Sequence, residues 1–166
     1  MQPPLGFKRD VFRSLIPWAL VASAFAIAAA LGGADEASGQ DSLVAMNPFP
    51  IVRIVGEVRS SGAKVTRLSA KGPTAARLVT RCTPASKCPY EQRAQLIPGP
   101  EGSSRTVRIR ALERRYRAGA TLRVFVAAPG FIGKYTSFRI RRGKGPKRYD
   151  RCLRGLELTP IECPAS

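Results

Sequence analysis

Residues 121–128 read TLRVFVAA, with Leu122, Val124 and Val126 set at alternate positions and Arg123 between them. A period of two puts successive side chains on opposite faces and marks a half-buried β-strand. The same alternation runs through 51–58, IVRIVGEV, where Val52, Ile54 and Val58 oppose Arg53 and Glu57. It recurs in 104–112, SRTVRIRAL, with Val107 and Ile109 against Arg108 and Arg110, and in 135–142, YTSFRIRR, with Phe138 and Ile140 against Arg139 and Arg141. Weaker runs lie at 63–69, 77–82 and 90–97, and the turn clusters SSG, KGP, PGPEGSS and APG separate them. Short strands spaced by turns predict a mainly β domain, a small antiparallel immunoglobulin-like β-sandwich. Its core is expected to hold Val52, Ile54, Val107, Ile109, Leu122, Val124, Val126, Phe138 and Ile140.

Two local patterns qualify this reading. In 111–119, ALERRYRAG, Leu112, Arg115 and Tyr116 would share a helical face, but Gly119 limits any helix to one or two turns. The piece YRAGATLRVFV, from Tyr116, resembles the approach to a late strand of immunoglobulin-like domains, where a tyrosine packs at the corner.

The chain has 166 residues, a length that fits one domain, and 44% of them are apolar, enough for a core. Lys and Arg number 28 against 11 Asp and Glu, a net charge of +17. Histidine is absent, which removes imidazole general acid/base chemistry, imidazole metal ligation and every triad built on them.

Residues 15–34, LIPWALVASAFAIAAALGGA, carry no charge and follow Lys8, Arg9 and Arg13. They are expected to form an N-terminal hydrophobic helix, either a cleaved signal peptide, with Gly32 and Ala34 suited to the cleavage site, or a single transmembrane anchor spanning the bilayer. In both cases the basic flank stays inside and the remainder is extracytoplasmic, secreted or membrane-anchored. The expected divisions are 1–34 for this segment, 35–48 for a flexible acidic linker, 49–142 for the sandwich and 143–166 for a basic, disulfide-stapled C-terminal segment.

Four cysteines in an exported chain read as two disulfides. Cys82 with Cys88 and Cys152 with Cys163 each close a short loop, and Pro84, Pro89, Pro160 and Pro164 suit tight turns there. Gaps of five and ten residues fit a zinc site badly, and no C-x-x-C supports a redox role.

FPIVRIVGEV, RCTPASKCP, and RAGATLRVFV together with PGFIGKYTSFRIRRGKGPKRYDRC resemble a family of small exported domains of high-GC bacteria. The resemblance spans about 47–163, and its most distinctive part is the ending at 132–152. It implies an exported, β-rich, disulfide-bearing domain and carries no catalytic residue.

Outward arginines are expected at 53, 77, 81, 108, 110, 123, 139 and 141. Basic residues are densest in 138–154, FRIRRGKGPKRYDRCLR, where eight face one acid, Asp150, expected to pair with Arg148 or Arg151. Arg139, Arg141, Arg142, Lys144, Lys147 and Arg148 are therefore the candidate polyanion-binding residues, since guanidinium forks match phosphate and carboxylate. RRGKGPK lacks the spacing of a phosphate-binding loop. Outside the cytoplasm the candidate partners are anionic cell-wall polymers first and lipid headgroups second. A specific nucleic-acid reader would need a recognition helix or a platform of stacking aromatics, and Phe138 is expected inward. Glu57, Glu91, Glu101, Glu113, Asp150, Glu157 and Glu162 are scattered, with no nucleophile and base together, so a non-catalytic protein without metal or cofactor is expected. The alternative is a protein interaction module that docks through an edge strand or the Phe125 and Phe131 region. Thiol titration of the folded protein should find no free cysteine, whereas four reactive thiols would overturn the disulfide reading.

Overall fold

The computed structural model describes residues 43–164, so the hydrophobic segment 15–34 and most of the linker lie outside the described residues. Each alternating run becomes a strand. In chain order these are β1 (Val44–Ala45), β2 (Ile51–Arg59), β3 (Gly62–Pro73), β4 (Arg77–Thr83), β5 (Gln92–Leu96), β6 (Ser104–Arg108), β7 (Arg115–Arg117), β8 (Thr121–Ala127), β9 (Phe131–Arg141) and β10 (Lys144–Arg154). The larger sheet has the order β1-β9-β8-β4-β5, with β10 also paired to β9, and the smaller has the order β2-β3-β6, with β7 also on β3. All pairings are antiparallel except β1 with β9.

Val52, Val65, Leu68 and Ala70 of the smaller sheet share one buried cluster with Leu78, Leu122, Val124, Val126, Phe138 and Ile140 of the larger. Ile109, Leu112 and Tyr116 complete it, and Ile54 and Val107 pack against it half-buried. The two sheets thus face each other across the predicted core, where each fully buried Val, Leu, Ile or Phe contributes roughly 1.5–3 kcal/mol. Val58 departs from expectation. It pairs with buried Ala63 and so shares its face, yet it is 52% exposed, near the β2–β3 turn and beyond the part of the edge strand where Val52 is fully covered. Between Val55 and Gly56 the register shifts, leaving Thr66 of β3 without a partner. At this bulge a side chain on Gly56 would run into the Lys64 carbonyl, so only glycine fits.

Residues 111–119 hold no α-helix. A 3-10 turn at Arg110–Leu112 leads into β7, which pairs with β3. Buried Tyr116 donates its hydroxyl to the Leu112 carbonyl at 3.0 Å, four residues upstream, and this fixes the corner before β8.

The larger sheet is apolar on its far side as well. Val79, Phe125, Ala127, Tyr135 and Leu153 form a second buried cluster, roofed by Leu158, in which the Phe125 and Tyr135 rings lie 5.0 Å apart. Phe125, expected in an exposed aromatic region, is therefore interior, while Phe131 is 43% exposed. Both disulfides form as expected, Cys82 with Cys88 and Cys152 with Cys163. The second works with a two-way backbone bridge between Cys152 and Ile161 to hold the segment that carries Leu158. The boundary expected after Arg142 falls in the β9–β10 turn, and the basic segment beyond it enters the larger sheet as β10. Two residues, Gly145 and Pro146, stand opposite one at the start of β10, a bulge that accommodates proline on an edge strand.

Tyr116→Phe leaves the Leu112 carbonyl without its buried donor, and urea unfolding is expected to show a loss of about 1–2 kcal/mol with the β-sheet circular dichroism unchanged.

Candidate anion-binding pole

Paired residues of an antiparallel ladder point to the same face, so the β9–β10 register decides where each basic side chain goes. Arg139 pairs with Lys147 and Arg141 with Lys144, which puts all four on the outer face of the larger sheet, and all four are exposed. Arg142 sits beside them in the turn that follows β9. Arg141 Nε donates to the Gly145 carbonyl at 2.9 Å and closes the bulged hairpin. Five of the six candidate residues therefore gather on one hairpin.

Arg148 does not join them. It pairs with buried Phe138 and faces the other way, with its guanidinium carbon 5.6 Å from the Phe138 ring centroid. Its Nε lies 2.7 Å from Asp150 Oδ2, and its Nη1 donates to the Val52 carbonyl of β2 at 3.0 Å. Asp150 also accepts from Thr136 Oγ1 at 2.7 Å and pairs with Lys134 at 3.2 Å. Arg148 thus stitches the rim of the larger sheet to the smaller one, and its charge is committed to the fold. Of the two partners expected for Asp150, the structure selects Arg148; Arg151 lies 3.7 Å from Glu162 instead.

Two arginines beyond the candidate set extend the hairpin surface. Arg81 of β4 and Arg123 of β8 are direct cross-strand partners, and Arg123 is paired on its other side with Ser137. Arg81 Nε donates to Gln92 Oε1 at 2.6 Å, and Arg123 Nη1 to Thr83 Oγ1 at 2.9 Å. Like charges placed opposite each other repel, and here neutral groups orient both guanidiniums without cancelling their charge. Alternation marks both residues as outward, but it cannot show that they are neighbours.

Turns from both sheets meet at this end of the molecule. Gly143 N–H donates to the Arg59 carbonyl, Ala118 N–H to Ser61 and Gly119 N–H to Ile140, at 3.1, 2.9 and 2.9 Å. Glu57, two residues before Arg59 on β2, is ion-paired to Arg59 at 2.7 Å and to Lys64 at 3.6 Å. Among the described residues, Arg139, Arg141, Arg142, Lys144 and Lys147 have no carboxylate within ion-pairing distance. The preceding chain joins at the other end of β9, where Val44 pairs with Phe131. Along the 11 residues of β9, at ~3.3 Å each, the basic turn stands roughly 35 Å from that junction.

The aromatics near these cations are mostly interior, with Tyr135 and Phe138 buried, while Tyr149 is exposed with Arg151 4.6 Å from its ring centroid. Glu113 is held below the usual carboxylate range by its hydrogen bond from Arg108, against the effect of burial and with help from the Leu68 N–H. Among the described residues no three His, Cys, Asp or Glu side chains stand together as metal ligands, and no helix is long and apolar enough to cross a membrane. No protein-family model, curated protein or solved structure matches this chain.

Burial works against the Asp150 carboxylate, but hydrogen bonds from Arg148, Thr136 and Lys134 outweigh it and hold its pKa down to about 2. A depressed acid stabilises the fold above its unfolded pKa of about 3.9 and loses that contribution as pH falls through the folded value. The side chain is 34% exposed, so screening reduces the effect. Asp150→Asn is expected to cost about 1–2 kcal/mol at neutral pH, with the gap to the parent protein closing between about pH 4 and pH 2 in urea titrations.

Proposed function

We propose that the chain is a non-catalytic protein of the cell envelope, exported or membrane-anchored, whose basic pole binds anionic cell-wall polymer. The observation that carries this reading is the convergence of Arg139, Arg141, Arg142, Lys144 and Lys147 on one hairpin, unneutralised among the described residues and continuous with Arg81 and Arg123. Cations held close without carboxylate partners raise the local positive potential and draw a polyanion to that face. A polymer with repeated negative charge matches a row of guanidiniums better than any single small anion does. Lipid headgroups are the second candidate.

The location rests on the two disulfides, which suit an oxidising compartment, and on the charge-free segment 15–34 behind Lys8, Arg9 and Arg13. An immunoglobulin-like topology is part of the same reading. Its support is the order β2-β3-β6 facing β9-β8-β4-β5, with the Tyr116 hydroxyl bonded back across the corner before β8. The resemblance to exported, disulfide-bearing domains of high-GC bacteria belongs with it.

A second reading, a protein interaction module, draws on β5, an edge strand whose five residues are all exposed. Strand addition at that edge would rest on backbone hydrogen bonds and would resist salt, whereas contact between arginines and polyanion would not.

The test is binding of the purified full chain to cell-wall sacculi, with and without their anionic polymers, over a salt series. It is repeated with Arg139, Arg141, Arg142, Lys144 and Lys147 changed to Gln and Arg148 kept for the fold. Binding should require the polymer, weaken about tenfold or more from roughly 0.1 to 0.5 M salt, and be lost in the variant. Equal binding without the polymer, or by the variant, would sink the proposal.

A further inference from the structure

An open recess of about 390 Å³ lies between the first disulfide loop and β7, and none of the residues that line it belongs to the site described above. One wall is Ser86, Lys87 and Cys88, and the other is Arg114, Arg115 and Arg117. The first wall is a short loop closed by the Cys82–Cys88 disulfide and by N–H bonds from Lys87 to Pro84 and from Cys88 to Ala85, both 3.0 Å. The second is β7, where buried Tyr116 points into the core and leaves Arg115 and Arg117 exposed on either side. Four cations from distant parts of the chain are thus brought to one concave place. Among the described residues none of them has a carboxylate within ion-pairing distance.

The ammonium of this group is positioned by the backbone. Lys87 Nζ donates to the Ala118 carbonyl at 2.7 Å, and a side chain on Gly119 would stand 2.9 Å from it. An ammonium has three donors, so two remain for a ligand. The Ala118–Gly119 turn that holds Lys87 is bonded to Ile140, between Arg139 and Arg141 of the hairpin. One turn therefore links the recess to the hairpin strand.

We infer that this recess is a phosphate-binding subsite, formed by Ser86, Lys87, Arg114, Arg115 and Arg117, that seats one phosphate of the polymer lying across the hairpin. The inference rests on the polyanion reading for the source of its ligand, though not for its chemistry. A planar carboxylate is served by a single guanidinium fork, whereas a tetrahedral phosphate presents oxygens in several directions. Guanidiniums and an ammonium converging from two walls, with a serine hydroxyl beside them, suit the second geometry. The recess also gives the first disulfide a role beyond stability, since it holds the Ser86–Lys87 wall in place.

The test is calorimetric titration of the full chain with inorganic phosphate, a glycerol phosphate oligomer, vesicles of phosphatidylglycerol and a polyuronate of comparable charge. The proteins compared are the parent, Arg115→Gln/Arg117→Gln, Lys87→Gln and the five-residue hairpin variant, each checked for an unchanged melting temperature. Phosphate affinity should fall about tenfold or more in Arg115→Gln/Arg117→Gln, fall in Lys87→Gln, and stay within about twofold in the hairpin variant. Polyuronate binding should follow the hairpin charges and ignore the recess variants. The oligomer and the vesicles distinguish wall polymer from lipid as the source of the phosphate. If phosphate binds but neither sacculi nor oligomer do, the subsite stands and the polymer reading falls. If sacculi bind through the hairpin while phosphate affinity is the same in every recess variant, the subsite is refuted and the polymer reading stands. Failure of the parent to take up phosphate also refutes the subsite. The Cys82→Ser/Cys88→Ser variant gives an independent check, because it should lose phosphate while keeping polyuronate binding.

Discussion

Strand β8 carries Leu122, Val124 and Val126 on one side and Phe125 and Ala127 on the other, and all five are buried. A strand that is apolar on both faces needs two covers, and the smaller sheet supplies only one. The other comes from the end of the chain, where Leu153 and Leu158 close over Phe125 and Tyr135. Much of the remaining architecture follows from that requirement. Strand β10 must pair with β9 to bring Leu153 into place, and the segment after it must turn back, which the Cys152–Cys163 bond and the Cys152–Ile161 bridge enforce. The second disulfide therefore completes a hydrophobic cluster.

The same sheet resolves a shortage of acids. Basic side chains outnumber acidic ones 28 to 11, and among the described residues carboxylates such as Asp150 and Glu113 are used where they stabilise structure. Asp150 joins β9, β10 and, through Arg148, β2; Glu113 fixes Arg108 and accepts the Leu68 N–H of β3. The surplus charge stands mostly on the outward positions of strands, Arg139, Arg141, Lys144 and Lys147 among them, where side chains reach solvent and repulsion is screened. The content of such a cationic pole is decided by which strands and turns the pairing brings together.

Strands with apolar residues on one face and arginine on the other were legible from alternation, and so were both cysteine pairs. Strand β10 was not, because its inward positions are Arg148, Asp150 and Cys152, an ion pair and a staple in place of aliphatic residues, and because Gly145 and Pro146 resemble a turn. Arg148 looked like part of the basic patch because proximity in sequence carries no information about facing across a bulge. Phe125 looked exposed because the outer face of a half-buried strand is ordinarily wet, and its cover comes from residues about thirty positions away. The recess could not be read at all, since Lys87 and Arg115 are joined only by the packing of a disulfide loop against a three-residue strand.

Strand β9 touches both ends of this arrangement, meeting β1 at Phe131 and Ile132 and finishing in the basic turn after Arg141. Tension between a captured polymer and the chain leading into Val44 would run along its axis. Its ladder bonds to β8 and β10 lie across that direction, so they would carry the load together in shear instead of opening one after another like a zipper. On the proposed reading, the two-residue pairing of β1 with β9 would then be the first contact to feel such a pull.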